Sequence, residues 1–329
     1  MKNIAVGIIG TGSYLPPTIL TNRDLEKMVD TSDEWIRTRS GIMERRITGP
    51  DIATSDMAAE AARRAMDDAK ITPEEIDLII VGTVTPDNAY PSTACTVQRK
   101  IGAVNAAAFD LAAGCSGYMY SLAVGTQFIK TGFYKKVLVI GGDNLSKFTD
   151  WTDRATCVLF GDGAGAAVLS EVEEGYGLLS FHLGADGSGG DLLILPAGGS
   201  RMPASEETVR QRLHYTRMNG HEVYKFAVRV MDKAVKEALE KIGMKPEDLD
   251  YLVPHQANIR IINHAARRLK IPTEKVFVNI HKYANTSAGS IAIALDEAKR
   301  QGMIKRGDIV AFVGFGAGLT WGAGVCRWV

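Results

Sequence analysis

The sequence predicts an α/β fold built from two similar halves, each rich in βαβ units. The second half repeats the order of elements of the first half at an offset of about 170 residues, as two copies of one unit would. The strand predicted around Leu78–Val81 is apolar throughout, which is typical of strands covered on both faces. The length of 329 residues suits about two domain-sized units. We therefore expect an N-terminal half at residues 1–173 and a C-terminal half at residues 174–329, packed in layers.

Capping residues and hydrophobic periodicity mark the elements of the first half. Thr21 and Thr31 each open a helix with a capping pattern, and Ser55–Lys70 has the apolar stripe of an amphipathic helix. Gly10-Thr11-Gly12 lacks the third glycine of a dinucleotide-binding loop, and Pro16 blocks the helix that such a loop requires. The predicted strands are Val6–Ile9, Ile76–Thr83, Ala106–Leu111 and Val137–Ile140, and the glycine-rich stretch Phe160–Ala166 is predicted to be a tight hairpin.

The second half shows the same order of elements. Pro246–Asp250 matches Pro73–Asp77, and each of these stretches leads into an apolar strand. Residues 184–220 are rich in glycine and serine and then polar, which indicates an irregular connection that lies over the functional site. The predicted helices are Met231–Ile242, Ala257–Leu269 and Ile291–Leu295, and the predicted strands are Tyr251–Val253, Val276–Ile280, Ile309–Val313 and Thr320–Val325.

Composition and charge exclude several classes of protein. Basic and acidic residues each number 38, so a net charge of zero gives no support for binding to nucleic acid or to a membrane surface. Four cysteines without a CxxC pair argue against a disulfide framework and a zinc site, and we expect no metal. Residues Met1–Ile4 lack the shape of a signal peptide, and no apolar run predicts a membrane span. We therefore expect a cytoplasmic protein.

The stretch from Ala112 to Gly117 is the strongest candidate for a functional site. Small residues flank Cys115 and allow a sharp turn between a strand and a helix. A thiol in the first turn of a helix faces unpaired N–H groups and the positive end of the helix dipole, and both favour the thiolate. Cys115 is therefore a candidate nucleophile, and the alternative is a buried structural cysteine.

The internal repeat brings two more polar residues towards Cys115. Asn285 precedes an apolar helix that corresponds to the helix after Cys115, so packing the two helices side by side would bring their N-termini together. His255 follows a buried strand, and ligands of parallel sheets bind at the carboxyl ends of strands. We expect Cys115, His255 and Asn285 to meet, although a core histidine bonded to backbone would give the same pattern at position 255.

Six motifs, spread along nearly the whole chain, carry a resemblance to a known family. They are Asp30–Ile36, Gly114–Gly117, Phe160–Gly165, Pro254–Asn258, Asn285–Ser287 and Gly314–Gly322. On these motifs the chain resembles the β-ketoacyl-acyl-carrier-protein synthase III family, condensing enzymes of type II fatty acid synthesis with a thiolase-like, layered αβαβα fold. The set Cys115, His255 and Asn285 is similar to the catalytic Cys-His-Asn set of this family, whereas the elongating synthases use Cys-His-His. The chain departs from the usual motifs by small-for-small exchanges at Gly114, Ala284, Gly289 and Ala317.

The resemblance implies a decarboxylative condensation without a cofactor beyond the substrates. Cys115 would accept the acyl group of a short acyl-CoA, while the backbone N–H groups of Cys115 and Ala317 hold the tetrahedral oxyanion. Malonyl-acyl-carrier protein would then lose CO2, and His255 and Asn285 would stabilise the enolate that results. Attack of this carbanion on the acyl-enzyme would give a 3-oxoacyl thioester.

The resemblance also implies which residues bind the substrates. Trp35, Arg39 and Arg154 would hold the adenine end of CoA and Asn258 would line the pantetheine tunnel, although a packed Trp35 beside a solvated Arg39 fits the sequence as well. The acyl pocket would be bordered by Tyr90, Leu145, Phe160 and Phe315, with the loop around Tyr90 supplied across a homodimer. Acidic carrier protein would dock on a basic surface. That surface would include Lys225, Gln256, Ala257, Asn258, Ile259, Arg260, Arg267, Arg268 and the neighbouring Lys270. The alternative is that the same charged residues form a helix face that contacts only solvent.

Two other functions fit the sequence. A related enzyme of secondary metabolism would prime a polyketide or transfer the acyl group to another nucleophile. A non-catalytic partner that binds carrier protein on the same fold would commonly lack the nucleophile, so the intact Cys115, His255 and Asn285 argue against it. The choice between acetyl-CoA and longer or branched primers depends on one or two methylene groups, worth about 1–3 kcal/mol, which the sequence pattern does not reveal.

Overall fold

The computed structural model describes residues 4–329, so most of the predicted non-signal segment Met1–Ile4 lies outside the described residues. The strands are β1 Val6–Tyr14, β2 Thr18–Thr21, β3 Glu44–Ile47, β4 Leu78–Gly82, β5 Ala107–Leu111, β6 Lys136–Asp143, β7 Gly163–Glu171, β8 Gly177–Ala185, β9 Leu193–Ile194, β10 Arg217–Met218, β11 Tyr251–Pro254, β12 Ile309–Gly316 and β13 Thr320–Arg327. The α-helices are α1 Asn22–Leu25, α2 Asp33–Ser40, α3 Thr54–Ala69, α4 Thr93–Ile101, α5 Gly117–Lys130, α6 Glu206–Arg210, α7 Gly220–Glu240, α8 Ile259–Leu269, α9 Ile280–Tyr283 and α10 Gly289–Arg300.

Two mixed sheets form the framework. The first has the strand order β1-β7-β6-β4-β5, in which β4 runs parallel to β5 and β6, and β7 runs antiparallel to β1 and β6. The second has the order β11-β12-β13-β8, in which only β11 and β12 are parallel. The strands at the centre of each sheet are buried on both faces, which explains their continuous apolar sequence.

Helices cover the outer faces of the sheets and also lie between them. α3 packs on the outer face of the first sheet with α4 beside it, and α7 packs on the outer face of the second sheet with α8 beside it. α5 and α10 lie between the sheets and contact both. The predicted α/β fold with layered αβαβα architecture is confirmed.

The two central helices bring their N-termini together because small residues allow close contacts where they pack. A Cβ on Gly165 of β7 would lie 2.5 Å from the Cβ of Ala292 on α10, so a glycine is needed for this contact. At the starts of the helices, a Cβ on Gly117 would lie 3.6 Å from that of Ala288. The residues that follow β5 and precede α10 therefore meet, as the internal repeat predicts.

Two predicted elements are wrong. Phe160–Ala166 is not a hairpin, because Gly163 begins the 9-residue strand β7, whose small residues admit α10. Val276–Ile280 is not a strand, because Val276 makes only an isolated bridge to Leu252 and Ile280 begins α9. The first strand also continues to Tyr14, well beyond its predicted end.

The boundary between the sheets falls in one short connection. β7 of the first sheet ends at Glu171 and β8 of the second begins at Gly177. The predicted boundary between residues 173 and 174 lies in this connection, and the division into two halves there stays a prediction. Within residues 4–329, no helix is both long and apolar enough to cross a membrane. The same residues hold no group of three or more His, Cys, Asp or Glu side chains arranged to bind a metal ion.

Candidate active site

A tight turn between β5 and α5 carries Cys115. Gly114 has a φ of +57°, which glycine adopts without strain. Ser116 is the N-cap residue of α5, so Cys115 lies just before the helix and not in its first turn. Cys115 is only 8% exposed.

Two hydroxyl groups tie this turn to the turn between β12 and β13. Ser116 Oγ donates to the carbonyl of Ala113 at 2.7 Å and lies 2.7 Å from Thr320 Oγ1. Thr320 Oγ1 donates to the same carbonyl at 2.7 Å. The backbone after β12 is therefore held against Cys115, so closely that a Cβ on Gly316 would overlap the Cys115 nitrogen.

Ala317 follows in this turn, beside the backbone of Cys115. A Cβ on Gly114 would overlap the backbone nitrogen of Ala317, and Gly318 next to it has a φ of +73°. The two backbone N–H groups that were predicted to hold an oxyanion thus come from two chain segments in direct contact.

Burial keeps Cys115 in the thiol form. Removal from water is the main cause that raises the pKa of the thiol to about 12. A hydrogen bond from Ser287 lowers this pKa, and the charge of Asp143 raises it. Ser287 Oγ donates to Cys115 Sγ at 3.3 Å. The expected position of Cys115 in the first turn of the helix is wrong, and burial opposes the thiolate that was expected there.

Asp143, at the end of β6, is a buried carboxylate near Cys115 that the sequence patterns did not predict. Its Oδ1 accepts hydrogen bonds of 2.8–3.1 Å from the Thr83 hydroxyl, the Val84 N–H, and the N–H and hydroxyl of Thr85. Its Oδ2 accepts from the Ala288 N–H at 3.1 Å. Burial raises the pKa of this carboxyl, and its hydrogen-bond donors oppose that rise. Asp143 thus joins the loop after β4 to the start of α10.

His255 lies directly after β11 and is 1% exposed. Its backbone N–H donates to the carbonyl of Val313 at 2.7 Å, and the edge of its ring meets Phe315 with centroids 5.4 Å apart. Its Nδ1 lies 2.5 Å from Ser290 Oγ. Burial lowers the pKa of the imidazole to about 3, so the ring is neutral at pH 7.

Asn285 lies in the turn before α10. Its N–H donates to the carbonyl of Leu159 at 3.0 Å, and its carbonyl accepts from the N–H of Gly161 at 3.0 Å. The side-chain Oδ1 accepts from the Ser287 N–H at 2.8 Å, and within residues 4–329 the Nδ2 hydrogens form no hydrogen bond, so they can donate to a ligand. Ala284 and Ser287 have φ values of +57° and +50°, which cost energy in residues with a side chain.

Cys115 lies between two cavities. The first is an apolar pocket of about 100 Å³ and the second is an open cleft of about 630 Å³ that runs from Trp35 past His255 and Asn285. Cys115 and Phe160 line both cavities. The pocket is further lined by Val84, Thr85, Leu145, Phe148, Leu193, Ile194, Leu195, Thr216 and Ser287.

The predicted acyl-pocket residues separate into three groups. Leu145 and Phe160 line the small pocket. Phe315 lines the cleft and not the small pocket, and its ring packs edge-on against His255. Tyr90 is 87% exposed and lines neither cavity of this chain. Leu193 and Ile194 were missed, since only the composition of the segment 184–220 indicated that it lies over the site.

The predicted nucleotide-binding residues meet at the outer end of the cleft. The guanidinium of Arg154 lies 4.3 Å from the ring centre of Trp35, and that of Arg39 lies 5.9 Å from it. Ser32 caps α2 by accepting from the Trp35 N–H at 3.1 Å and so fixes this helix turn. Asn258 also lines the cleft, but its side chain caps α8 and donates to the Arg39 carbonyl at 3.0 Å.

Basic side chains are exposed beside the same cleft. Lys225 on α7 and Arg260 on α8 line it, and Arg260 lies 5.6 Å from the ring centre of Tyr224. Arg267 and Arg268 are exposed further along α8, where Arg268 lies 3.6 Å from Asp232. Ala257 and Ile259 are partly exposed between His255 and this helix, and Lys270 is exposed at its end.

Gln256 does not belong to this surface. It is 1% exposed, and its amide donates to the carbonyls of Pro254 and Phe277 at 2.8 and 3.1 Å. Its Oε1 accepts from the N–H groups of Asn279 and Ile280 at 3.0 and 3.1 Å. Its assignment to the docking surface is wrong, because the amide holds the turn after β11 from inside the protein.

Comparisons with known proteins identify the family. The model of 3-oxoacyl-[acyl-carrier-protein] synthase III matches residues 109–187, and the model of the C-terminal part of this family matches residues 239–328. The chain is 63% identical over 327 residues to the β-ketoacyl-[acyl-carrier-protein] synthase III of Caldanaerobacter subterraneus, with 99% of each chain covered.

Solved structures agree with these matches. The crystal structure of 3-oxoacyl-[acyl-carrier-protein] synthase III from Aquifex aeolicus is 51% identical, with a TM-score of 0.91 over 98% of this chain and 100% of that one. The priming β-ketosynthase of a polyketide pathway is 34% identical, with a TM-score of 0.92 over 99% of this chain and 97% of that one. The chain therefore belongs to the β-ketoacyl-acyl-carrier-protein synthase III family, the acyl-transferring condensing enzymes of fatty acid synthesis.

Proposed function

We propose that this chain condenses a short acyl-CoA with malonyl-acyl-carrier protein, using Cys115, His255 and Asn285 as its catalytic residues. The observation that carries the proposal is the position of Cys115 at the junction of two cavities. His255 and Asn285 line only the open cleft, while the small pocket is apolar. A thioester that lies along the cleft therefore presents its carbonyl carbon to Cys115 and its acyl chain to the pocket.

In the first step, Cys115 Sγ attacks the thioester carbon of the acyl-CoA. The new bond joins Sγ to the acyl carbon, the bond to the CoA sulfur breaks, and the thiol proton ends on the released CoA. Because the pKa of the thiol is about 12, the proton leaves as the new bond forms. The N–H groups of Cys115 and Ala317 hold the oxyanion, and loss of one such donor costs about 10²–10³ in rate.

In the second step, malonyl-acyl-carrier protein enters the cleft and loses CO2. The electron pair of the broken carbon–carbon bond becomes an enolate, whose oxygen accepts hydrogen bonds from His255 Nε2 and Asn285 Nδ2. The carbanion carbon attacks the acyl carbon and expels the Cys115 thiolate, which takes a proton from water. Asn285 is suited to this role because its Oδ1 accepts the backbone N–H of Ser287, so its Nδ2 is the end of the amide that can face the enolate.

The substrates bind through the groups at the mouth of the cleft. The adenine of CoA lies between Trp35 and Arg154, which requires the guanidinium to move from its present 4.3 Å contact with the indole. Carrier protein docks on Lys225, Arg260, Arg267 and Arg268, because their positive charge complements an acidic partner. A pocket of about 100 Å³ favours a short acyl chain. The reaction requires no cofactor beyond the two substrates.

The free edge of the first sheet supports a homodimer. β5 is the last strand of its sheet, and its single charged residue, Asp110, is already bonded to the N–H groups of Thr93 and Ala94. Such an edge pairs readily with the same strand of a second copy. Tyr90, at 87% exposure on a nearby loop, then reaches towards the pocket of the partner. The dimer acts in the cytoplasm, where both substrates are made.

Intact-mass measurement after incubation with acyl-CoA of increasing chain length tests the nucleophile, with Cys115→Ser as the control. A single acyl adduct that the variant lacks supports the proposal, and no adduct with any primer contradicts it. His255→Ala and Asn285→Ala are expected to retain the adduct and to lose decarboxylation of malonyl-acyl-carrier protein.

The similarity to a priming β-ketosynthase favours one second candidate function, the priming of a polyketide. The carrier protein distinguishes the two functions. Condensation with the malonylated carrier protein of fatty acid synthesis supports the first, and activity only with a carrier protein from a polyketide pathway supports the second.

A further inference from the structure

We infer that Ser290 is a positioning residue that sets the tautomer of His255, so that the ring proton lies on Nε2. Ser290 is the second residue of α10 and is 2% exposed. Its Oγ lies 2.5 Å from His255 Nδ1, the closest polar contact of the ring. This inference rests on the proposed function only for what the Nε2 proton does in the reaction.

The direction of this hydrogen bond follows from the other partner of Ser290. The backbone N–H of Gln256 donates to the same Oγ at 3.3 Å, so the oxygen already serves as an acceptor. Within residues 4–329, the Ser290 hydroxyl forms no other hydrogen bond. A hydroxyl has one proton, and here His255 Nδ1 is the acceptor that faces it.

The Gln256 N–H cannot turn away from Ser290, because Gln256 is held on several sides. Its side-chain amide is bonded to the carbonyls of Pro254 and Phe277 and to the N–H groups of Asn279 and Ile280. The donor to Ser290 Oγ is therefore fixed by the fold, and the hydroxyl proton is directed at Nδ1. A neutral imidazole that accepts at Nδ1 carries its proton on Nε2.

A hydroxyl at this place has the opposite effect to a carboxylate. A carboxylate accepts Nδ1–H and leaves Nε2 as a base, as in the triads of hydrolases. Ser290 donates instead, and within residues 4–329 the Ser290 hydroxyl, not a carboxylate, is the hydrogen-bond partner of the His255 Nδ1. His255 is therefore prepared to donate a hydrogen bond to the enolate oxygen and not to accept the proton of Cys115.

Nitrogen NMR of the full-length protein with ¹⁵N-labelled histidine tests the tautomer directly. The His255→Asn variant assigns the two ring signals by their loss. We expect the wild-type ring to be neutral, with Nε2 protonated and Nδ1 unprotonated between pH 6 and 8. A wild-type ring with its proton on Nδ1, or a charged ring, overturns the inference even if no variant folds.

The Ser290→Ala variant tests the consequence for the reaction. We expect a fraction of Nδ1-protonated ring to appear in its spectrum, and the rate of malonyl decarboxylation to fall roughly 10- to 100-fold, as when a group that orients a functional imidazole is removed. Acylation of Cys115 changes little, and Ser290→Thr, which keeps the hydroxyl, restores most of the decarboxylation rate.

Ser121→Ala is the matched control, because Ser121 is also fully buried on a central helix and its hydroxyl has no partner among the described residues. An unchanged tautomer in Ser290→Ala, or an equal fall in acylation and decarboxylation, overturns the inference. A different result would contradict the proposed function itself: wild-type decarboxylation of malonyl-acyl-carrier protein by the His255→Asn variant.

Discussion

The hydroxyl of Ser287 donates a hydrogen bond to the sulfur of Cys115 across 3.3 Å, from a backbone position with a φ of +50°. Within residues 4–329, Ser287 is the only side chain that forms a hydrogen bond with this sulfur. The bond stabilises the thiolate in a site where burial and the charge of Asp143 oppose it. Ser287 therefore limits how far burial suppresses the nucleophile.

The Ser287→Ala variant should make Cys115 less reactive. Loss of a hydrogen bond of about 0.5–1.5 kcal/mol raises the pKa of the thiol and slows its alkylation by iodoacetamide roughly 2- to 10-fold. Mass spectrometry of the alkylated peptides measures the rate, with the exposed Cys95 as an internal reference. Equal rates for the variant and the wild type would contradict this role of Ser287.

The alkylation rate of Cys115 should also keep rising with pH above 9 in the wild type. The thiol has a pKa of about 12, so the thiolate fraction increases tenfold per pH unit below that value. The same mass measurement over a pH series checks this. A plateau below pH 8 would show that the thiolate already dominates at neutral pH.

His255 should destabilise the protein in acid. The pKa of its imidazole is about 3 in the folded state and about 6.5 when exposed, so the unfolded chain binds more protons between these values. The free energy of unfolding therefore falls as the pH decreases from 6.5 to 3, by up to about 1.4 kcal/mol per pH unit from this group. Urea unfolding at several pH values should show a shallower slope in His255→Asn. Substitution of the exposed His221 by Asn is the control, and a slope unchanged in both variants would refute the prediction.

Ala284→Gly should stabilise the protein. Ala284 has φ and ψ values of +57° and −155°, in a region that only glycine occupies readily, and relief of this strain contributes about 1 kcal/mol after the loss of a buried methyl group. Thermal unfolding measures the change. Ala292→Gly, at an equally buried alanine inside α10, should destabilise the protein instead. Loss of stability in both variants would show that position 284 is not strained.

Arg154→Ala should weaken binding of acyl-CoA without changing the chemical step. In the proposed complex the adenine of CoA lies between Trp35 and the guanidinium of Arg154, and removal of such a cation–π partner costs about 0.5–2 kcal/mol. We expect KM for acyl-CoA to rise about 3- to 30-fold with kcat nearly constant, since this contact is the same in the ground and transition states. Arg37→Ala removes an exposed arginine from the same helix as Trp35 and should leave KM unchanged. A fall in kcat with an unchanged KM would contradict the assignment of Arg154 to nucleotide binding.

Local sequence patterns predicted most helices and strands correctly. They failed where an element is defined by contacts with residues far away in the chain. Thr21 caps α1 as predicted, and α2 is capped by Ser32, one residue after the predicted Thr31, because capping residues act only on their own helices. The stretch at Val276 has a strand-like sequence, but it makes a single bridge to Leu252 and so forms no strand. The glycines after Phe160 indicate a turn in isolation, whereas in the fold they make room for α10 against β7.

The sequence by itself determined the two-fold repeat, and with it the expectation that Cys115 and Asn285 lie close together, because helices that are apolar on all sides must pack together between the sheets. The position of His255 after a buried strand predicted that it lines the same cleft, and it does. Only the tertiary structure decided the chemical state of these residues. The thiol of Cys115 is protonated because packed layers exclude water from it, and the tautomer of His255 depends on Ser290, 35 positions away in the chain. Burial and hydrogen-bond direction arise from contacts between distant segments, which no local pattern records.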